Sequence, residues 1–423
     1  GNRTYDCYSW QSLLSHGASG SVKQYLFGVF DDSKVQPGPG HRYRRHSTME
    51  GLWRVGIWSL QACLKGVFPR KNFDGVLWPA GPERDAAERE VELCGGFFLV
   101  HGAFRGDLEF CSKSLFLRHT SRNSFCKFCK AHSDASDQPM VWNNFKSDAL
   151  WKSSSFTIDA WRALFNPRHW LFKDFGFLSQ HNLEPDEYND LLGRFQEIHA
   201  SILWLLCFKE LPGEPEDNAR QVWATILKYD RDHQVATQYN YIGIKSFAHP
   251  DRPTTDYPSL KGKGAECKDL TEPLAEAWRR LPAAGAYQHK RMSDLLEACC
   301  DLQNILSINA GNPFLPEADA IAFKDRVSDI LSIYSFLSHR ADLDTLPLWA
   351  MKPKLHYLHH LGEDLFYQPE GNLLLIDEDY VNNIKYVVQS CTTGNAMHNV
   401  PAKVAEKIAW VIHMDAILPG LAE

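Results

Sequence analysis

Val22-Lys-Gln-Tyr-Leu-Phe-Gly-Val-Phe30 is rich in aromatic and β-branched residues, ends at Asp31-Asp32, and is followed by a loop containing Pro37, Gly38, Pro39 and Gly40. Such a run bounded by turn residues reads as a buried strand delivering two carboxylates at its tip. Two further apolar stretches extend the pattern. Gly51 to Leu60 precedes Gly66 and Pro69, and Gly95 to Phe104 leads into Arg105-Gly106-Asp107. The first hundred residues therefore read as a small sheet.

Beyond about residue 185 the texture turns helical. Tyr188, Leu191, Leu192, Phe195, Ile198, Ile202 and Leu205 recur at spacings of three and four, the mark of one apolar helix face. Met292 to Leu306, the segment from Val327 to Leu337, and Ala402 to His413 repeat it. Pro250 to Asp269, with two prolines and two glycines near its centre, reads as a long loop. Asp377-Glu378-Asp379 follows the apolar Leu373 to Ile376 and reads as the start of a helix reaching Val388.

The chain has 423 residues, is 44% hydrophobic and 23% charged, and carries a formal charge of −7, which excludes disordered and coiled-coil classes and disfavours a wholesale polyanion binder. A local basic face is still compatible with that balance. From 41 to 72, Arg42, Arg44, Arg45, Arg54, Lys65, Arg70 and Lys71 stand against one acid, Glu50, a cluster that suits phosphate contact or a solvated surface equally. Eleven scattered cysteines do not form a disulfide framework and point to a reducing, intracellular compartment. The longest apolar run, Ile202 to Cys207, is far short of the roughly 20 residues that span a bilayer, so no membrane association is expected. No signal peptide is expected either, and a start at Gly1 rather than Met leaves room for the chain to be a fragment.

Cys126-Lys-Phe-Cys129 has the spacing of a zinc half-site, and Cys111, His119 and His132 are the nearest further ligands in sequence. Its alternative is two ordinary thiols in a loop. His356, His359 and His360, in the apolar stretch KPKLHYLHHL (352–361), read as core histidines, since no thiolate or acid nearby would complete a metal site. Asp31-Asp32, Asp107 and the acidic interval 363 to 379 each have a plain reading as turn residues, a strand end or a helix start. No P-loop, GxGxxG after a strand, GxSxG or HExxH is present, which removes the common nucleotide-dependent and hydrolase classes.

Taken in order, these motifs resemble the CACTA (En/Spm-like) transposases and the related Kyakuja-Dileera-Zisupton group. Phrases such as MEGLWRVGIWS, FRGDLEF, YPSLKGKGAE, KPKLHYLHHL and IDEDYV are similar to a transposase-like gene family of dinoflagellates, over about Tyr25 to Val388. The resemblance implies an α/β, RNase H-like mixed sheet with a large all-helical insertion. It implies a first part of that core with the Cys-x-x-Cys loop at 1–150, a helical insertion at 151–345, and the last core strand with C-terminal helices at 346–423. It also implies metal-dependent DNA strand cleavage and transfer by a DDE-type site. Asp31 or Asp32, Asp107 and Glu378, with Lys385 seven positions on, would be the catalytic residues.

The ligands of catalytic Mg²⁺ or Mn²⁺ would include Asp107 and Glu378, hard oxygen donors suited to a two-metal site. Cys126, Cys129 and His132 would hold a separate structural Zn²⁺, while Arg42, Arg44 and Arg45 would contact DNA. A nuclear location and a homo-oligomer accompany that reading. Ser33 stands where the family has Gly after the first acid, and no histidine-bearing helix motif is recognisable between residues 160 and 210. A degenerate, non-catalytic DNA-binding or structural relic is therefore the alternative.

Overall fold

The computed structural model describes residues 5–11, 24–31, 47–93, 95, 104–106, 123–163, 183–185, 187–249, 252, 254–281, 287–310, 312, 314–363, 386–391, 399–400 and 402–408. The described residues are mostly helical. Strand is confined to two short antiparallel or edge pairings, β1 (Tyr5–Gln11) with β2 (Gln24–Asp31) and β3 (Phe104–Gly106) with β4 (Leu183–Pro185). No mixed RNase H-like sheet is present among the described residues, and that expectation is corrected.

Gly51 to Leu60, expected as a sheet strand, lies inside α1 (Ser47–Lys65). A continuous apolar run fits a buried strand or a helix equally, and here the helical signals win. Trp53, Gly56 and Ile57 are buried at spacings of three and one to one side, while Gly51 and Arg54 are exposed. Gly66 stops the helix in the left-handed region at φ 70°, where its N–H donates to the Ala62 carbonyl at 3.0 Å. The stretch from 24 to 31 is a strand, but its only partner among the described residues is β1, with Tyr5 opposite Asp31. Most of Gly95 to Phe104, and all of Leu373 to Ile376, lie outside the described residues.

The chain divides into two compact units. One comprises Gly1–Arg105, Ile158–Glu184 and Leu374–Glu423, and the other Gly106–Thr157 with Pro185–Leu373. The first contains α1, α2 (Pro82–Glu88) and the short α3 (Ile158–Ala163).

The second unit is built from α4 (Glu187–Leu205), α5 (Pro215–His233), α6 (Gly264–Arg280), α7 (His289–Ile308), α8 (Glu317–Leu343) and α9 (Lys354–Glu363). Packing runs from α4 to α6, α7, α8 and α9 and closes back on α4, with α5 seated on α6. Buried Leu274, Trp278, Leu295, Leu302, Phe323 and Leu337 fill the interior. Where Pro250 to Asp269 reads as one loop, α6 already begins at Gly264. There the Glu266 carboxylate accepts from the Lys263 N–H at 2.7 Å, and this local cap outweighs the glycines.

Local chemistry sets the element ends. In α5, Pro215 occupies the first turn with Glu216 and Asp217, Arg231 and His233 lie in the last, and Gln234 closes it at φ 54°. Between α4 and α5 the helix widens into a π turn at Leu206–Glu210. Buried Asn218 satisfies the groups this leaves. Its Nδ2 donates to the carbonyls of Cys207 at 2.8 Å, Leu211 at 3.2 Å and Gly213 at 2.8 Å, and its Oδ1 accepts from the Gly213 N–H at 3.1 Å. A Glu197–Lys352 ion pair and the Thr271 hydroxyl, which links His199 on α4 to Gln303 on α7, add polar ties between helices.

Candidate metal centre

Cys126 and Cys129 lie in the segment 123–157, which has little regular structure and is knit by its own backbone bonds. The His132 N–H donates to the Met140 carbonyl at 3.2 Å, the Trp142 N–H to the His132 carbonyl at 3.0 Å, and the Phe156 N–H to the Phe128 carbonyl at 2.9 Å. Across from it, α9 starts just after Pro353. Its four-residue spacing sets His356 and His360 on one face, one turn apart. The Tyr357 hydroxyl from the same helix donates to the Phe125 carbonyl at 3.1 Å, fixing loop against helix.

These elements bring four ligand atoms to one point. The Cys126 and Cys129 sulfurs are 3.5 Å apart, Cys126 Sγ is 3.3 Å from His360 Nε2, Cys129 Sγ is 3.2 Å from His356 Nε2, and the two Nε2 atoms are 3.1 Å apart. All four lie within 4.8 Å of one another, and all four residues are buried. A tetrahedral zinc with Zn–S near 2.3 Å and Zn–N near 2.0–2.1 Å needs its ligand atoms about 3.3–3.8 Å apart. The donor set and its spacing therefore fit Zn²⁺.

The surroundings favour the metal-competent protonation states. The N–H groups of Phe128 and Cys129 donate to Cys126 Sγ, each at 3.3 Å, and that of Ala131 donates to Cys129 Sγ at 3.4 Å. The Cys126 contact, helped by the Ala131 N–H, holds the Cys129 thiol below its ordinary value despite burial. Burial holds the His356 imidazole below its usual range, against the opposing pull of the Cys126 sulfur, so it stays neutral as a ligand must.

An aromatic shell excludes water. Trp151 packs on His356 at 4.4 Å, Phe125 on the same ring at 5.6 Å and Phe128 on His360 at 5.0 Å, measured between ring centres. His359, between the two ligands in sequence, stacks edge-on against Trp151 and is pushed down to about 2 by burial and then by His360. Two thiolates and two imidazoles in a closed, buried setting leave no coordination position for substrate, so the arrangement suits a structural ion rather than an activated water.

His132 does not join the cluster, contrary to its expected role. Its Nε2 faces Asp137 Oδ2 at 3.2 Å and its Nδ1 accepts from the Asp134 N–H at 3.2 Å. His356 and His360 take the positions expected of sequence neighbours, from 227 and 234 residues away. Their spacing by four within a helix was the available signal, and it lacked any visible partner.

Asp31 closes β2, while Asp32, Asp107, Glu378, Lys385, Arg42, Arg44, Arg45, Cys111 and His119 lie outside the described residues. Of the acidic interval, Glu363 ends α9 and pairs with Lys324 at 2.7 Å. The eight cysteines whose side chains are described form no disulfide, and among the described residues no helix is long and apolar enough to cross a membrane. Comparison with protein-family models, with curated proteins and with solved structures finds no match to this chain.

Proposed function

We propose that this chain is a transposase-like, DNA-binding protein whose helical unit is locked by a structural Zn²⁺ on Cys126, Cys129, His356 and His360. The observation that carries the zinc assignment is the convergence of two thiols and two imidazole nitrogens, all within 4.8 Å of one another, in a buried cluster. The DNA partner rests on the resemblance and on the basic interval from 41 to 72. Metal analysis of the purified chain should give one zinc per chain, lost in Cys126→Ser/Cys129→Ser. Equal zinc in both would remove the assignment.

Metal-dependent strand cleavage is the second reading, supported by a strand that ends on Asp31. It requires Asp31 or Asp32, Asp107 and Glu378 to share Mg²⁺ or Mn²⁺. Nicking of supercoiled DNA that needs added Mg²⁺ and disappears in Asp107→Ala and Glu378→Ala would establish it. Retention on a DNA column with no nicking would leave a DNA-binding descendant without catalysis.

A further inference from the structure

A cleft of about 600 Å³ opens in the first unit between α1 and the segment 67–75. Its size falls in the range of sites that enclose a small ligand or part of a larger one. Two kinds of side chain line it. Arg54, Lys65, Arg70 and Lys71 form an exposed cationic rim, against Glu90 as the acid of the lining. Trp58, Phe68 and Phe73 supply aromatic walls.

The walls are held by the backbone. Trp58 Nε1 donates to the Lys71 carbonyl and Trp78 Nε1 to the Pro69 carbonyl, each at 2.8 Å. The two indoles meet edge to face at 6.1 Å, with Phe73 against Trp58 at 6.3 Å and Phe68 against Trp78 at 5.8 Å. A tight turn presents Phe73. Asn72 Oδ1 accepts from the N–H groups of Asp74 and Val76, both at 3.0 Å, and Gly75 sits at φ 76° in the left-handed region where glycine is at ease. Phe73 is 43% exposed although it packs against Trp58.

The charges are unequally satisfied. Arg54 pairs with Asp74 at 3.2 Å and Arg70 with Glu90 at 2.8 Å, both on the surface, where such pairs hold weakly. Lys65 and Lys71 have no ion-pair partner among the described residues. A surplus of cations over an aromatic floor, in a chain whose formal charge is −7, is a local feature and not a consequence of composition.

We propose that this cleft binds single-stranded nucleic acid, with Lys65 and Lys71 on successive phosphates and a base against Phe73. A polyanion with exposed base faces complements both parts of the lining, whereas a duplex keeps those faces stacked and offers an aromatic wall only base edges and phosphates. The assignment deepens the DNA-binding reading and rests on it for the partner class; it is independent of the zinc assignment.

The test titrates a short oligothymidylate into the zinc-loaded full chain, following tryptophan fluorescence and anisotropy over a range of salt. Two contacts at about 0.7 each predict that Lys65→Ala/Lys71→Ala makes the salt slope shallower by about 1.4. Phe73→Ala should weaken binding about five- to 150-fold, the usual range for one stacked base. Because all three side chains are exposed, circular dichroism and zinc content should match the parent. Oligothymidylate binding unaffected by either variant, or a duplex bound as tightly as the single strand, would overturn the cleft. In that case DNA binding that depends on Arg42, Arg44 and Arg45 would preserve the broader reading, and no retention of any DNA would end both.

Discussion

Withdrawing zinc from the Cys126, Cys129, His356 and His360 cluster should lower the melting temperature of the helical unit by about 8–16 °C. The figure follows from linkage. An ion that binds only the folded chain, at a free concentration 1,000 times its dissociation constant, stabilises by about 4 kcal/mol. In a unit the size of Gly106–Thr157 with Pro185–Leu373, each kcal/mol is worth roughly 2–4 °C. The dissociation constant is first measured by competition with a chromophoric chelator, and melting is then followed by scanning calorimetry with zinc removed by excess chelator and with free zinc at 1,000 times that value. His360→Ala and Cys126→Ser should abolish most of the zinc-dependent shift, since each removes one of four ligands. His132→Ala should keep it, because its ring is engaged with Asp137 and Asp134. A melting temperature indifferent to zinc, or a loss in His132→Ala as large as in His360→Ala, would refute the site.

Three further outcomes test the packing. Burial drives His199 down to about 3, so between about pH 6.5 and 3 the unfolded chain binds a proton that the folded chain refuses, and stability falls on acidification by up to about 1.4 kcal/mol per unit. Urea unfolding of His199→Gln at pH 6 and pH 4 should show a flatter dependence than the parent; equal slopes would place the acid sensitivity elsewhere. Asn218→Ala should cost about 3 kcal/mol by leaving the carbonyls of Cys207, Leu211 and Gly213 without their side-chain donor, read as a lower urea midpoint at unchanged m. In Gly262→Ala the added carbon would land on the buried Tyr239 ring and hydroxyl, costing about 1–3 kcal/mol, and Tyr239→Phe should recover part of that loss if the hydroxyl is the obstacle.

The helical half of the fold was legible because its signal is local. Phe195, Ile198, Ile202 and Leu205 repeat at helical spacing, and all are buried in α4. The periodicity at Met292 to Leu306 and Val327 to Leu337 likewise falls within α7 and α8. The stretch from Gly51 to Leu60 misled for a physical reason. Leu52, Trp53, Val55, Ile57, Trp58 and Leu60 are apolar on nearly every position, so alternation and helical period cannot be told apart. What separates them is punctuation. Ser47 with Glu50 three residues on is a helix-start pattern, and Gly66 is a stop, both present in the sequence. The aromatic and apolar runs themselves supplied the expectation of a sheet, and the helical α1 removes one of the strands on which it depended.

The metal centre shows the complementary limit. Cys126 and Cys129 could be read as a half-site because two thiols three apart share one ion, a property of spacing alone. Completing it by the nearest histidine assumes that ligands are neighbours in sequence, and His132 turns instead to Asp137. His356 and His360 look like core residues for the same reason, since their own neighbourhood offers neither thiolate nor acid. Each half is ambiguous until the ring of helices is traced. α9 packs on α4, and the Tyr357 hydroxyl reaches the Phe125 carbonyl, so the loop that carries the thiols must lie over the helix that carries the imidazoles. That placement also explains why 106–157 belongs to the same compact unit as 185–373 although 158–184 intervenes. A segment with little regular structure gains its fixed position from contacts with α9, and four buried donors become tolerable when one divalent ion satisfies them together.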